Sequence, residues 1–186
     1  MPERLRADAR ANHDRLLQVA AAAFAAEGPE TSLKAIAAEA GVGIGTLYRR
    51  FPTREDLIEA VYRSETDRLA GSADRLLAER PPVEALRAWM EAFVDYMTTK
   101  RAMSDALPAI LASREGLRAH SRDALGAAVA ALIDAAGVSG DLRAGIDPGD
   151  VLMALGGITL ISAHEEQRAL ATRLIDLLLG GLLARG

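Results

Sequence analysis

Apolar residues recur at helical spacing along most of this chain, and no stretch alternates apolar and polar residues as a half-buried strand would. The strong helix formers alanine, leucine, arginine and glutamate are abundant. Breaks between the periodic stretches coincide with Gly28-Pro29, Gly41-Val42-Gly43, Phe51-Pro52 and Pro81-Pro82. The pattern therefore predicts an all-α fold of about nine helices.

Four helices are predicted in the first part of the chain, near residues 9–26, 33–40, 44–50 and 54–77. Thr31 is expected to cap the second helix, and Thr53 the fourth, with Asp56 as its partner three residues on. The core faces of the first two helices should comprise Leu16, Leu17, Ala20 and Phe24, and then Leu33, Ile36, Ala37 and Ala40.

Five further helices are predicted near residues 83–100, 102–112, 115–136, 148–164 and 167–184. Pro108 should kink the helix predicted near residues 102–112, because proline removes a helical hydrogen bond. We place the domain border near Phe51–Arg54. This gives an N-terminal domain of residues 1–54 and a C-terminal domain of residues 55–186, joined through the fourth helix without a flexible linker.

Composition excludes several classes of protein. The chain has 186 residues, of which 50% are hydrophobic, so a substantial core is expected. No apolar run reaches the length of a membrane helix, the longest being residues 151–163, and no signal peptide is recognisable. The chain has no cysteine, which excludes disulfides and thiolate metal sites. These features favour a cytoplasmic protein with no membrane partner.

Charge is unevenly distributed. The net charge is −4, which by itself argues against a nucleic-acid binder. Residues 1–54, however, carry eight Lys/Arg and six Asp/Glu, whereas residues 55–186 carry 14 and 20. The N-terminal part is therefore mildly basic and the remainder acidic. A net positive charge on the N-terminal part would favour its contact with DNA phosphates.

The segment from Ser32 to Phe51 has the pattern of a helix-turn-helix, in which two short helices cross over a tight turn. Gly41 supplies the left-handed residue that ends the first of the two helices. Val42 and Leu47 are expected to fill the space between them. The polar and aromatic residues of the second helix, which are Thr46, Tyr48, Arg49 and Arg50, are then left for phosphates and base edges.

This segment, together with the following Phe51-Pro-Thr-Arg-Glu-Asp-Leu57, resembles the TetR family of regulators. The resemblance rests on the pattern Gly-Thr-Leu-Tyr, two variable residues and Phe, followed by a small polar residue and a cation at the start of the next helix. The resemblance covers about residues 9–65, and the rest matches only as a helical body. It implies a two-fold dimer, a three-helix DNA-binding head and a body that binds a small effector.

The resemblance assigns Thr46 and Tyr48 to DNA contacts, and Arg54 to a phosphate at a helix start. Relatives often carry Lys where this chain has Ile44, and His where it has Arg49 or Arg50, so the operator cannot be inferred. The full predicted DNA-binding set is Ser32, Lys34, Gly43, Ile44, Gly45, Thr46, Tyr48, Arg49, Arg50 and Arg54. Arg4, Arg6 and Arg10 are either a groove-binding arm or a solvated terminus.

Signals for other activities are weak. Gly41-x-Gly43-x-Gly45 resembles part of a dinucleotide fingerprint, but Thr46 stands where the third glycine is required and no strand precedes it. The three histidines are far apart and lack metal-ligand spacing. We therefore predict no catalytic residues, no metal and no cofactor, and hence no enzyme.

A cluster of large apolar residues follows in and after the fifth helix. Trp89, Phe93, Met97, Met103 and Leu107 have few charges near them and lie close to the predicted kink. They are either ordinary core or the lining of a cavity for an apolar or aromatic effector.

The last two helices are apolar around much of their circumference, and a chain of this size has difficulty burying both. Pairing them across a homodimer as a four-helix interface would solve this problem. Gly156, Gly157, Gly180 and Gly181 would permit close backbone contact there.

The sequence thus predicts a homodimeric repressor that small-molecule binding releases from a palindromic operator in double-stranded DNA. An activator and a regulator without a ligand remain open, because the same head serves both. An all-α enzyme or scaffold with an incidental helix-turn-helix is the alternative from another class.

Overall fold

The computed structural model describes residues 2–28, 30–103, 106–114, 116–161 and 168–184. Within these ranges the chain forms nine helices and no strand, and an isolated antiparallel bridge joins Leu142 to Leu183. The helices are α1 (Pro2–Glu27), α2 (Leu33–Glu39), α3 (Ile44–Arg50), α4 (Arg54–Glu79), α5 (Pro82–Ala102), α6 (Leu107–Ser113), α7 (Leu117–Val138), α8 (Pro148–Ile161) and α9 (Arg168–Leu182). The predicted all-α fold is confirmed.

The chain divides into two compact units. The head unit comprises Met1–Glu65 and Thr99–Leu117, and the body unit comprises Thr66–Thr98 and Arg118–Gly186. Helices α4 and α5 each contribute one part to each unit. The domain border placed near residue 54 from the sequence motif remains a prediction.

In the head unit, α1 contacts α2 and α2 contacts α3. The predicted core faces of α1 and α2 are confirmed, since all eight residues are buried. Leu57, Ile58 and Val61 of α4 are also fully buried. These apolar side chains hold the short helices α2 and α3, which at seven residues each would not be stable alone.

Two predictions about helix boundaries were wrong. Helix α1 begins at Pro2 rather than near residue 9, so Arg4, Arg6 and Arg10 belong to a helix. Pro108 does not kink a helix, because it lies in the first turn of α6, where a missing N–H costs nothing. The predicted extension of α8 to residue 164 and the start of α9 at residue 167 lie outside the described residues.

In the body unit, α5 contributes buried residues to the core. Trp89 is completely buried, and its Nε1 donates a hydrogen bond to the Leu69 carbonyl at 3.0 Å. Three buried hydroxyl groups also lie together in this unit: the Thr66 Oγ1 is 3.0 Å from the Tyr96 hydroxyl and 3.4 Å from the Ser121 hydroxyl. Helices α8 and α9 pack on each other. No described helix has the length and apolarity that crossing a bilayer requires.

Candidate nucleic-acid interface

The turn between α2 and α3 is closed by backbone hydrogen bonds. Gly41 adopts φ +72°, the left-handed conformation expected from the sequence. Its N–H donates to the Ala38 carbonyl at 3.1 Å, and the N–H of Val42 donates to the Ala37 carbonyl at 2.9 Å. This pair is the Schellman arrangement, which satisfies two carbonyls at the helix end and reverses the chain direction. The turn between α2 and α3 therefore depends on the left-handed conformation of Gly41.

Helix α3 presents nearly all of its side chains outward. Only Leu47 is buried, at 0% exposure, whereas Tyr48 is 50% exposed and Ile44 38% exposed. The Arg49 Nη2 donates to the Thr46 Oγ1 at 2.9 Å, so these two polar groups already form a unit on the helix surface. Leu47 thus anchors the helix as predicted, while the other predicted core residue of the turn, Val42, is only half-buried.

The start of α4 is a capping box. The N–H of Asp56 donates to the Thr53 Oγ1 at 3.1 Å, and the N–H of Thr53 donates to the Asp56 Oδ2 at the same distance. These contacts confirm the predicted partnership. The hydrogen bond from the Thr53 hydroxyl, followed by that from Arg114, holds the pKa of Asp56 below its usual range.

Arg54, at the first position of α4, is half-buried rather than extended into solvent. Its Nη1 donates to the Thr31 carbonyl at 2.8 Å, which ties α4 to the segment before α2. Any phosphate contact by this residue would therefore come from a side chain that the head already holds in position.

One predicted cap was wrong. Ser32, not Thr31, is the N-cap of α2, and its hydroxyl accepts a hydrogen bond from the N–H of Ala35 at 3.4 Å. Thr31 is instead buried, and its hydroxyl donates to the Gly28 carbonyl at 2.7 Å. The two hydroxyl residues are adjacent, and only the backbone conformation decides which one reaches the helix.

Of the ten predicted DNA-binding residues, nine are exposed and Arg54 is half-buried. They belong to the start of α2, the end of the turn, α3 and the start of α4. All lie in the head unit, and nothing in their geometry resembles a catalytic arrangement.

Sequence reasoning missed His13, which supports the end of α3. Its imidazole stacks on the Phe51 ring with the centroids 5.9 Å apart, and its Nδ1 is buried without a hydrogen-bond partner. Partial burial, followed by the positive charge of Arg50, lowers the pKa of His13 below its usual value of 6.5. No local pattern reveals this role, because the residues it meets lie more than 35 positions away.

Arg114 was also missed. It follows α6, and its Nη2 lies 2.6 Å from the Asp56 Oδ1, while its Nη1 lies 3.2 Å from the Glu59 Oε2. These ion pairs connect the end of α6 to the first turns of α4 within the head unit. The sequence carries no signal for them, since an exposed arginine after a helix has many available partners.

The five predicted effector-binding residues are divided between the units. Trp89, Phe93 and Met97 belong to the body unit, whereas Met103 and Leu107 belong to the head unit. The Trp89 and Phe93 rings lie 5.8 Å apart and tilted, and all but the half-buried Met97 have at most 5% of their surface exposed. Among the described residues, no three His, Asp or Glu side chains cluster as a metal site would.

An all-α chain with a helix-turn-helix and an exposed, cationic second helix falls in the class of DNA-binding transcription regulators. Residues 16–61 match the model for bacterial regulatory proteins of the tetR family, and residues 81–184 match the C-terminal domain of SbtR-like transcriptional regulators. The chain belongs to the TetR family. Its matching models and structural neighbours are regulators and not enzymes.

Solved structures of two other regulators have the same fold over nearly the whole length of this chain. A TetR transcriptional regulator from Streptomyces coelicolor is 50% identical, with a TM-score of 0.87 over 93% of this chain and 99% of that one. A TetR transcription regulatory protein from Mycobacterium vanbaalenii is 33% identical, with a TM-score of 0.77 over 97% and 99%.

A curated relative, an HTH-type transcriptional regulator of Staphylococcus aureus (strain USA300), is 41% identical over 64 residues. That match covers 34% of this chain and spans only 35% of the relative's length.

Proposed function

We propose that this protein is a homodimeric repressor whose α3 helices enter the major groove at the two half-sites of a palindromic operator. The observation that carries the proposal is the surface of α3, where Leu47 alone is buried and the polar, aromatic and cationic side chains face solvent. These are side-chain types that contact phosphates and base edges in DNA-binding helices.

The chemistry of α3 suits mixed readout of DNA. Arg49 and Arg50, in its last turn, carry guanidinium groups that pair with phosphates or with guanine edges. The bond from Arg49 to Thr46 restrains one of these guanidinium groups before DNA arrives. Ile44 and Tyr48 add exposed apolar surface that suits a thymine methyl group. Ser32 and Lys34, at the start of α2, are exposed and can contact the phosphate backbone of the DNA.

We place the dimer interface on α8 and α9. Met153, Leu160, Ile161 and Leu177 are between 58% and 78% exposed in the single chain, which is unusual for large apolar side chains on two neighbouring helices. A Cβ built on Gly156, Gly157, Gly180 or Gly181 would meet nothing within 4 Å, so a second backbone has room to approach. A two-fold dimer would address half-sites about 34–36 Å apart or multiples of that spacing.

Regulation by a small molecule remains part of the proposal, with an apolar or aromatic effector near Trp89, Phe93, Met97, Met103 and Leu107. A ligand releases DNA only if it binds the DNA-incompetent dimer more tightly, because equal affinity for both states shifts no population. Trp89 and Phe93 have only 0% and 5% of their surface exposed, so an effector beside them would require their side chains to move. A regulator without such a ligand is the alternative, and either acts in the cytoplasm, where the chromosome is.

The test is to incubate the purified protein with fragments of the source genome and sequence those it retains. We expect enrichment of a palindromic sequence upstream of one or a few genes. The matched control carries Tyr48→Ala and Arg49→Gln on α3. Retention of the same fragments by this variant, or retention without any common sequence, would refute a specific interface at α3.

A further inference from the structure

A pocket of about 460 Å³ opens within the body unit between α4, α5 and the first residue of α9. Leu69 and Leu76 of α4, with Ala88 and Ala92 of α5, give it an apolar wall. Its volume falls in the range of pockets that hold small molecules. None of the five residues assigned above to an apolar effector lines it.

The charge of this pocket is opposite to that of its surroundings. Arg68, Arg75, Arg80 and Arg168 line it, against only two acids, Glu91 and Asp95. Residues 55–186 as a whole carry 14 Lys/Arg and 20 Asp/Glu. Four of those cations therefore converge on one concave site in an otherwise acidic part of the chain.

Both acids of the lining are compensated by arginines. Asp95 accepts hydrogen bonds from both terminal nitrogens of Arg168. The Glu91 Oε1 accepts from the Arg87 Nη1 at 2.7 Å, and Arg87 is further fixed by Asp176 at 2.9 Å. Their negative charge therefore opposes an incoming anion only weakly. Arg168 is engaged by Asp95 and attracts an anion little, so the attraction comes from the other cations of the lining, Arg68, Arg75 and Arg80.

One arginine of the pocket lining, Arg75 of α4, is loosely held. Arg75 meets Glu79 at 3.4 Å with both side chains more than half exposed, and such surface pairs contribute little energy. Its guanidinium group can turn toward a ligand at small cost. Arginine is also the side chain best suited to planar recognition of carboxylate and phosphate groups.

We propose that this pocket binds a small organic anion, whose phosphate or carboxylate groups meet Arg75 and Arg80 and whose apolar part lies against Leu69 and Leu76. That this anion acts as an effector, at a site separate from the one proposed for an apolar molecule, rests on the repressor function proposed above.

The test uses the full chain without DNA. Phenyl phosphate and benzoate are titrated by calorimetry at physiological ionic strength, with benzyl alcohol as the uncharged analogue. The emission of Trp89, the only tryptophan, gives a second readout, since its indole is bonded to the pocket residue Leu69. The pocket variant is Arg75→Gln with Arg80→Gln. The matched control, Arg118→Gln with Arg122→Gln, removes the same charge from exposed positions on α7.

We expect saturable binding of at least one of the two anions and none of benzyl alcohol, with affinity reduced about tenfold in the pocket variant and kept in the control. The preferred anion then distinguishes phosphate from carboxylate. The absence of saturable binding, equal affinity in all three proteins, or equal binding of benzyl alcohol would overturn the proposal. If the double variant does not fold, Arg80→Gln alone is measured in its place. Operator binding is assayed separately, so that failure of the anion site and failure of the repressor function give different results.

Discussion

At the residue scale, Tyr48 and Arg54 differ in whether a substitution should change DNA binding alone or also the stability of the head unit. Tyr48 is half exposed on the surface of α3. Arg54 donates to the Thr31 carbonyl and so contributes to the head itself. Both were predicted from the sequence to act as outward-facing contacts, and the structure distinguishes them.

We expect Tyr48→Ala to weaken operator binding by roughly 1–3 kcal/mol without a measurable change in melting temperature. Arg54→Ala should weaken binding and also destabilise the head by about 1 kcal/mol, through loss of a hydrogen bond to a carbonyl. Fluorescence anisotropy and thermal melting separate the two effects. Tyr48→Phe serves as the control that retains the ring, and full affinity in Tyr48→Ala would exclude this residue from the interface.

His13 should make the head sensitive to acid. Its pKa is lowered in the folded state, so the unfolded chain binds the proton more tightly. The stability associated with the neutral imidazole is therefore fully present above the unfolded value of 6.5 and is lost as the pH falls through that value toward the lowered folded one.

The corresponding prediction is that His13→Gln flattens the dependence of melting temperature on pH between about pH 7 and pH 5. The measurement is a series of thermal melts of both proteins over that range. The variant is expected to be somewhat less stable at neutral pH, because it loses the stacking on Phe51. Identical pH profiles would mean that His13 does not titrate in this range.

At the scale of secondary-structure elements, the positions and types of the helices were largely predictable, and several ends were not. Periodicity fixed the core faces of α1 and α2, because a helix buries residues three and four apart whatever surrounds it. The choice between Thr31 and Ser32 as a cap and the position of Pro108 depend on one or two residues of backbone conformation, which periodicity does not report. The contacts of His13 and Arg114 are tertiary and have no local signature.

The turn between α2 and α3 offers a sharp test at this scale. Gly41 has φ +72° and nothing within 4 Å of a built Cβ, so Gly41→Ala should cost about 1–2 kcal/mol through backbone strain alone. Gly45 lies inside α3 with equally open space, and Gly45→Ala should leave the fold as stable or stabilise it by up to about 1 kcal/mol. Chemical denaturation measures both. Equal destabilisation of the two variants would contradict this account of the turn.

At the scale of the whole molecule, the proposed homodimer depends on an interface between two chains that would let two recognition helices act together. Leu177 is 72% exposed on α9, so Leu177→Glu should leave the subunit folded and yet produce monomers, because a dimer would bury the new charge. The matched control is Val138→Glu, which is 91% exposed at the end of α7. Sedimentation velocity distinguishes the forms. A wild-type monomer at micromolar concentration, or a dimeric Leu177→Glu variant, would place the interface elsewhere or remove it.

The central claim is that α3 binds operator DNA through its cationic surface, and the most direct measurement is the salt dependence of operator affinity. Each phosphate contact should contribute about 0.9 to the slope of log affinity against log salt concentration. We predict that Arg49→Gln with Arg50→Gln lowers both the affinity and this slope, by about one to two units if both arginines meet phosphate. Arg118→Gln with Arg122→Gln, which makes the same change in net charge on α7, should leave both unchanged. Equal slopes and equal affinities in the wild type and both variants would contradict the claim that α3 is the DNA-binding surface.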